Sequence, residues 1–278
     1  MTDNSPMIDT PASQPDMASA PKLTVVVITK NEAQRLPLCL ASVSFADEIV
    51  VVDSGSTDQT VEIAKQAGAQ VICTQDWPGF GPQKQRGLDA ATGDWVLCLD
   101  ADEWLDDTLA NAVRHVVNAG YGSGQQVYAL HRLSAFCGQW MRHGSWSRDI
   151  AVRLFRRGAA RFSDDLVHER LIHEATAKRL PGYLLHNSIT SIHDGLHKLN
   201  SYTTGRAQDQ RRQGKHAGLG KAIGHGFWAF VRSYVIKRGF LDGRLGFVLA
   251  VLDAHNSYYR YLKLWLDAKQ RPHDIPPP

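Results

Sequence analysis

The sequence predicts an α/β protein, with a mostly parallel sheet first and a helical region after it. Leu23–Ile28 is a continuous apolar, β-branched run, the pattern of a strand buried on both faces. Similar runs recur at Glu48–Val52, Gln70–Thr74 and Trp95–Leu99, with helix-compatible stretches between them, as βαβ units require. From Leu196 onward the chain reads as helix, with aromatic and aliphatic residues three and four positions apart.

In chain order, residues 1–21 are rich in Ser, Pro, Asp and Ala. They lack a basic start and an apolar core, so they read as a disordered leader and not as a signal peptide. A helix-compatible stretch runs from about Glu32 to Val43. Between the second and third strands lie a turn and a helix, with Ser56 and Gln59 at capping-box spacing and Val61, Ala64 and Ala67 facing inward. Trp77–Pro82 is a Gly/Pro turn and Gln83–Ala91 a short helix before the fourth strand. Past about residue 125, Gln126–Ser134 and Val152–Arg156 read as strands, and 196–213, 221–238 and 245–267 as helices. There is no internal repeat.

At 278 residues, 43% hydrophobic and 21% charged, the chain suits one large domain, or one domain with an appendage, and excludes a disordered polymer. The net charge of +3 conceals an asymmetry. Residues 1–120 hold 7 Lys/Arg against 17 Asp/Glu, and residues 121–278 hold 24 against 11, which argues for two separate jobs. Cys39, Cys73, Cys98 and Cys137 stand far apart and read as small buried hydrophobes of a reducing compartment, not as a zinc site. Charges interrupt every apolar stretch before it reaches membrane-spanning length. The expected location is the cytosol or a cytosolic surface.

Parallel sheets bind ligands beyond the carboxyl ends of their strands. Asp53 ends EIVVVD, Asp100 and Asp102 end WVLCLDAD, and Thr29, Asn31 and Glu32 follow the first strand. Independent surface charges would not gather at one edge. The Asp100-Ala101-Asp102 spacing puts two carboxylates on one side of an extended chain, which is tolerable in water or around a cation such as Mg2+ or Mn2+. Asp53 precedes its turn, where a carboxylate can accept hydrogen bonds from a base or a ribose. Lys84 and Arg86 either face a diphosphate or form a solvated helix face. No G-x-G-x-x-G and no P-loop is present, which weakens dinucleotide binding and ATP hydrolysis.

The segments VVVITKNEA, EIVVVDSGSTDQT, WPGFGPQKQRG, GDWVLCLDADE, RLFRRGAARFSDDLVHE and KRGFLDG together resemble family 2 glycosyltransferases of the GT-A fold. More narrowly, they resemble the lipopolysaccharide core β-glucosyltransferases of Gram-negative bacteria. The likeness runs from about Leu23 to Leu264. It implies a GT-A catalytic domain over 22–195 and a basic, aromatic helical region over 196–278. It implies that Thr29, Glu32 and Asp53 hold the uracil and ribose of a nucleotide sugar. Asp100 is then the ribose- and metal-side acid of the DxD motif, and Asp102 the acid that binds the divalent ion. The Glu-Asp pair that often supplies the general base is replaced here by Val167-His168-Glu169, so the base candidates are Glu169, Asp165, Asp164 and His168.

With a nucleotide-sugar donor the reaction is displacement at the anomeric carbon. Removal of the acceptor hydroxyl proton by one base is worth about 100- to 10,000-fold, and in-line attack predicts inversion. The expected donor is UDP-glucose and the expected acceptor the inner core of lipopolysaccharide. A capsule or exopolysaccharide lipid intermediate is the alternative acceptor, and a non-catalytic nucleotide-sugar or glycolipid binding protein the alternative class. Residues 196–278 carry 14 Lys/Arg against 5 Asp/Glu, interleaved with aromatics such as Phe227, Trp228, Phe240 and Phe247. That pattern suits an anionic membrane surface on the cytoplasmic face of the inner membrane, or a packed subdomain with solvated basic residues. No recognised motif supports nucleic-acid binding.

Overall fold

The computed structural model describes residues 20–119, 124–163 and 170–267. The expected leader and the base candidates Asp164, Asp165, His168 and Glu169 therefore lie outside the described residues, apart from positions 20 and 21.

Four parallel strands form the first part of the sheet: β1 (Leu23–Thr29), β2 (Glu48–Asp53), β3 (Gln70–Cys73) and β4 (Trp95–Asp100). The helices between them are α1 (Leu36–Ser42), α2 (Thr60–Gln66) and α3 (Phe80–Ala90). Next come β5 (Glu103–Leu105), α4 (Asp107–Asn118), β6 (Val127–Phe136), β7 (Gln139–Trp140), β8 (Asp149–Arg156), β9 (Ala160–Phe162), β10 (Leu171–His173), β11 (Lys178–Arg179) and β12 (Leu184–Ile189). The main sheet runs β3-β2-β1-β4-β8-β6-β12-β5. β8 pairs antiparallel with β4 and β6, β12 parallel with β6, and β5 antiparallel with β12. The sheet is thus parallel through β4 and mixed beyond it.

Burial on both faces follows from the alternation along each central strand. Val25 and Val27 of β1 pack with Leu97, Leu99, Leu109 and Val113 on the α1 and α4 side. Val26 and Ile28 pack with Val50, Val52, Val96 and Leu88 on the α3 side. α3 lies so close to the sheet that a Cβ at Gly87 would run into the Val26 side chain. Its entry residue Gly79 sits at φ 109°, a conformation an L side chain rarely adopts.

The helical region begins at α5 (Ile192–Arg212), a few residues earlier than the periodicity predicts, capped by the Ser191 side chain accepting from the Asp194 N–H. α6 (Leu219–Val231) continues into a π turn (Arg232–Ile236), a 3-10 turn (Gly239–Asp242) and α7 (Gly243–Asp267). Leu249 and Leu252 of α7 pack on Phe136 and Met141 at the end of β6. That contact brings the helices to the mouth of the sheet. Among the described residues no helix is long and apolar enough to cross a membrane.

Candidate active site

The strand order reverses between β1 and β4, and a cleft of about 740 Å³ opens at that switch point. In register, Thr29 stands opposite Asp53, and Ile28 opposite Asp100, so the strand-end residues do share one edge. The cleft is walled by Thr29 and Glu32 after β1, by Asp100 and Asp102 after β4, and by Lys198 and Arg206 from α5. Thr29 Oγ1 is buried without a hydrogen-bond partner, an unmet polar atom at the cleft wall.

The two acids of the Asp-Ala-Asp segment have different surroundings. Asp100 is paired with Lys84 Nζ at 3.0 Å and with Arg153 Nη2 at 2.9 Å. Burial disfavours its charge, but Lys84, Arg153 and then Arg132 outweigh burial and hold its carboxyl well below the usual range. Arg153 also reaches Glu103, at 3.1 Å, and Arg132 bridges Glu103 and Asp149 at 3.0 and 2.8 Å. Glu103 is fully buried and takes the Asp100 N–H as well, at 3.0 Å. Burial opposes the charge on both arginines, yet Glu103 above all keeps them protonated beyond the ordinary arginine range. Three acids and three cations thus neutralise one another at the cleft floor, where Asp100, Arg132 and Asp149 line it and Lys84, Glu103 and Arg153 are buried.

Asp102 stands outside this network. Its Oδ2 lies 3.3 Å from His186 Nε2, and its backbone carbonyl accepts the Asn187 N–H at 3.1 Å. Ser134 Oγ is 3.0 Å from His186 Nδ1 and orients the ring with Nε2 toward Asp102. Among the described residues no three His, Cys, Asp or Glu side chains converge as a ready-made metal cage. A carboxylate and an imidazole side by side nevertheless fit a divalent cation that completes its shell with phosphate oxygens and water.

Glu32 holds Arg35 through both oxygens, at 3.1 and 3.0 Å. Burial raises its carboxyl, Arg35 lowers it, Asp102 raises it again, and the balance is upward. Asp53 is turned into its own loop, where Oδ2 accepts the Gly55 and Ser56 N–H groups at 3.0 and 2.9 Å and Oδ1 accepts the Ser56 hydroxyl. Ser56 Oγ also takes the Asn31 N–H at 2.8 Å, and α2 starts only at Thr60 with Gln59 in the N-cap position, so the expected capping box does not form. Asn31, left-handed at φ 55°, accepts the Thr57 N–H through its side chain. These residues tie the β1 and β2 loops together at the cleft rim.

Lys84 is 2% exposed and lies beneath Asp100, so neither expected role describes it: it is a buried counter-ion. Arg86 pairs with Asp76 at 2.6 Å on the outer surface. Arg132, Arg153, Glu103 and His186 were not legible as site residues. The arginine between Val152 and Leu154 in a strand was the available signal, because a buried cation needs an acid. His186 carried no such mark. Trp77 and Phe80, 48% and 36% exposed, meet edge to face at 4.9 Å and form an aromatic lip to the cleft.

The family model described as Glycosyl transferase family 2 matches residues 24–160. An uncharacterized glycosyltransferase of Rickettsia prowazekii (strain Madrid E), RP128, is 31% identical over 253 residues, spanning 87% of this chain and 86% of that protein. The lipopolysaccharide core biosynthesis glycosyltransferase LpsC of Rhizobium meliloti (strain 1021) is 30% identical over 253 residues, 86% of this chain and 93% of LpsC. Among solved structures, TarS 1–349 of S. aureus aligns over 91% of this chain and 94% of its own at 17% identity and a TM-score of 0.44. Glucosyl-3-phosphoglycerate synthase of Mycobacterium tuberculosis, crystallised with Mn2+ and UDP, aligns over 42% and 45% at 27% identity and a TM-score of 0.34. With a relative this similar along most of both chains, the protein belongs to the family 2 glycosyltransferases.

Proposed function

We propose that this glycosyltransferase moves a hexose, glucose from UDP-glucose, onto the inner core of lipopolysaccharide with inversion at the anomeric carbon. One observation carries the donor reading. At the β1/β4 switch point the charges of the cleft floor are paired with one another, and the Asp102–His186 pair is left over in a cleft whose wall holds the unpartnered Thr29 hydroxyl. The similarity to LpsC supports the acceptor class.

Asp102 and His186 are the residues that would hold a divalent cation, whose charge offsets that of the departing diphosphate. Asp100, pinned by Lys84 and Arg153, keeps the β4 terminus rigid and its carboxylate ionised. Lys198 and Arg206 supply positive charge from the opposite wall. Glu169 is our choice for the base that takes the acceptor hydroxyl proton, with Asp165 next and His168 as its orienting partner. We assign catalysis to 22–195 and acceptor handling to 196–278.

The helical end supports a membrane-facing role. Phe227 is 70% exposed and Ile236 58%, and Trp228, Val235 and Leu241 are exposed as well, as are Lys221, Arg238 and Arg244 on the same stretch of chain. Exposed apolar and basic side chains interleaved along one stretch of chain suit an anionic bilayer.

Incubating the protein and Mn2+ with a panel of nucleotide sugars and truncated core lipids, followed by mass analysis, tests the assignment. A hexose added to core lipid from UDP-glucose is the expected product. Addition only to a capsule-type lipid intermediate would move the acceptor, and donor binding without turnover in any mixture would defeat the enzymatic assignment.

A further inference from the structure

A second cavity, of about 320 Å³, opens among α5, α6 and α7. Its wall brings together Arg206 of α5, Arg232 of the π turn, Lys237 just beyond it and Arg260 of α7, against one carboxylate, Asp253. One oxygen of that carboxylate, Oδ2, accepts from Ser145 Oγ at 2.5 Å and from Ser233 Oγ at 2.7 Å, and its single charge faces four cations. Among the described residues, none of the three arginines has a carboxylate within 4.0 Å. Arg260 Nε is buried with no hydrogen-bond partner.

The cations instead press on one another. Burial and then Arg260 pull the Arg206 guanidinium below its usual range, and burial with Arg232 does the same to the Lys237 ammonium. Like charges gathered in a concave, partly desolvated wall raise the local positive potential, which an anion entering the cavity relieves. Guanidinium forks match phosphate oxygens in pairs, and Ser257 and Asn256 add neutral polar groups to the wall.

The cavity also adjoins the donor cleft. Arg206 lines both, and Ser145 in the cavity is followed in the chain by Trp146 in the cleft. An anion held here therefore sits beside the transferred sugar, where the acceptor must be. We propose that this cavity is the subsite for a phosphate group carried by the acceptor glycolipid, and that it sets acceptor choice. This deepens the transferase assignment and rests on it.

The test titrates inorganic phosphate into the full-length protein with UDP and Mn2+ saturating. Phosphate should bind wild type and bind about tenfold or more weakly to Arg232→Gln/Arg260→Gln, a loss of at least about 1.4 kcal/mol. Arg232→Lys/Arg260→Lys, which keeps the charge, should recover part of the affinity and control for folding. In kinetics on matched core lipids, the Gln variant should raise acceptor KM and leave donor KM alone. It should also cut the preference for phosphorylated over dephosphorylated acceptor by about tenfold. Equal phosphate affinity in wild type and the Gln variant would overturn the proposal. So would an unchanged acceptor KM with weaker binding to phosphatidylglycerol vesicles, which would assign the cations to bilayer headgroups. Arginine-dependent phosphate binding in a protein that transfers no sugar would uphold the anion site and defeat the transferase assignment.

Discussion

Two clusters of charge flank the cleft, and they are built on opposite principles. Beneath the β4 end, Lys84, Arg132 and Arg153 meet Asp100, Glu103 and Asp149, so every charge has a partner within about 3 Å. Among α5, α6 and α7, four cations face one acid that hydroxyl groups already occupy. The first arrangement spends its electrostatics on holding the backbone still. The second leaves positive charge uncompensated and so is open to an anion. The difference separates a scaffold from a binding surface more clearly than composition does, since both clusters are rich in arginine.

The largest expected effect comes from breaking the paired cluster. Arg153→Met leaves Asp100 and Glu103 short of a buried partner and should destabilise the fold by about 3–5 kcal/mol, read from denaturant melts. A loss no larger than that of an Arg86→Met control, which breaks only the half-exposed pair with Asp76, would show that the cluster is not structural. Asp102→Asn, outside the network, should instead lower transfer about 100-fold or more with an unchanged melting temperature. A variant that unfolds would place Asp102 with the scaffold.

The contrast also explains what could be read from sequence. β1, β2 and β4 were legible because doubly buried strands must be apolar without interruption, and their ends located Thr29, Asp53, Asp100 and Asp102 on one edge. What Asp53 and Lys84 do there was not legible. Asp53 Oδ2 is taken by backbone N–H groups two and three residues on, and Lys84 by an acid sixteen positions away on another element. Spacing reports which residues share an edge and is silent on which carboxylate receives which cation. His186, brought to Asp102 by the β12 pairing with β5, which sets it opposite Glu103, lies beyond any local pattern.

Replacing Phe227 and Ile236 with serine removes two exposed apolar side chains and should weaken binding to anionic vesicles about 100-fold or more, because burying each is worth about 1.5–3 kcal/mol. Sedimentation at low and high salt measures it, and unaltered binding would move the membrane face elsewhere. The smallest effects are in pH dependence, and the two clusters should differ in sign. Asp100 has a lowered carboxyl, so its contribution to stability is present above the unfolded carboxylate value near about 3.9 and is lost as pH falls through the folded value. Lys84→Met should shrink that acid limb. Asp253 is raised by burial, so its contribution is present at low pH and is lost as pH rises through its folded value. Asp253→Asn should therefore gain on wild type as pH rises above the ordinary carboxylate value of about 3.9. Melting curves across that range decide it, and a variant running parallel to wild type would place Asp253 in water.

The most direct test of the donor site is calorimetric titration of UDP into wild type and Asp102→Asn, each with and without Mn2+. The account predicts that manganese tightens UDP binding strongly in wild type and hardly at all in the variant. Equal tightening in both proteins, or UDP binding indifferent to manganese in wild type, would contradict it.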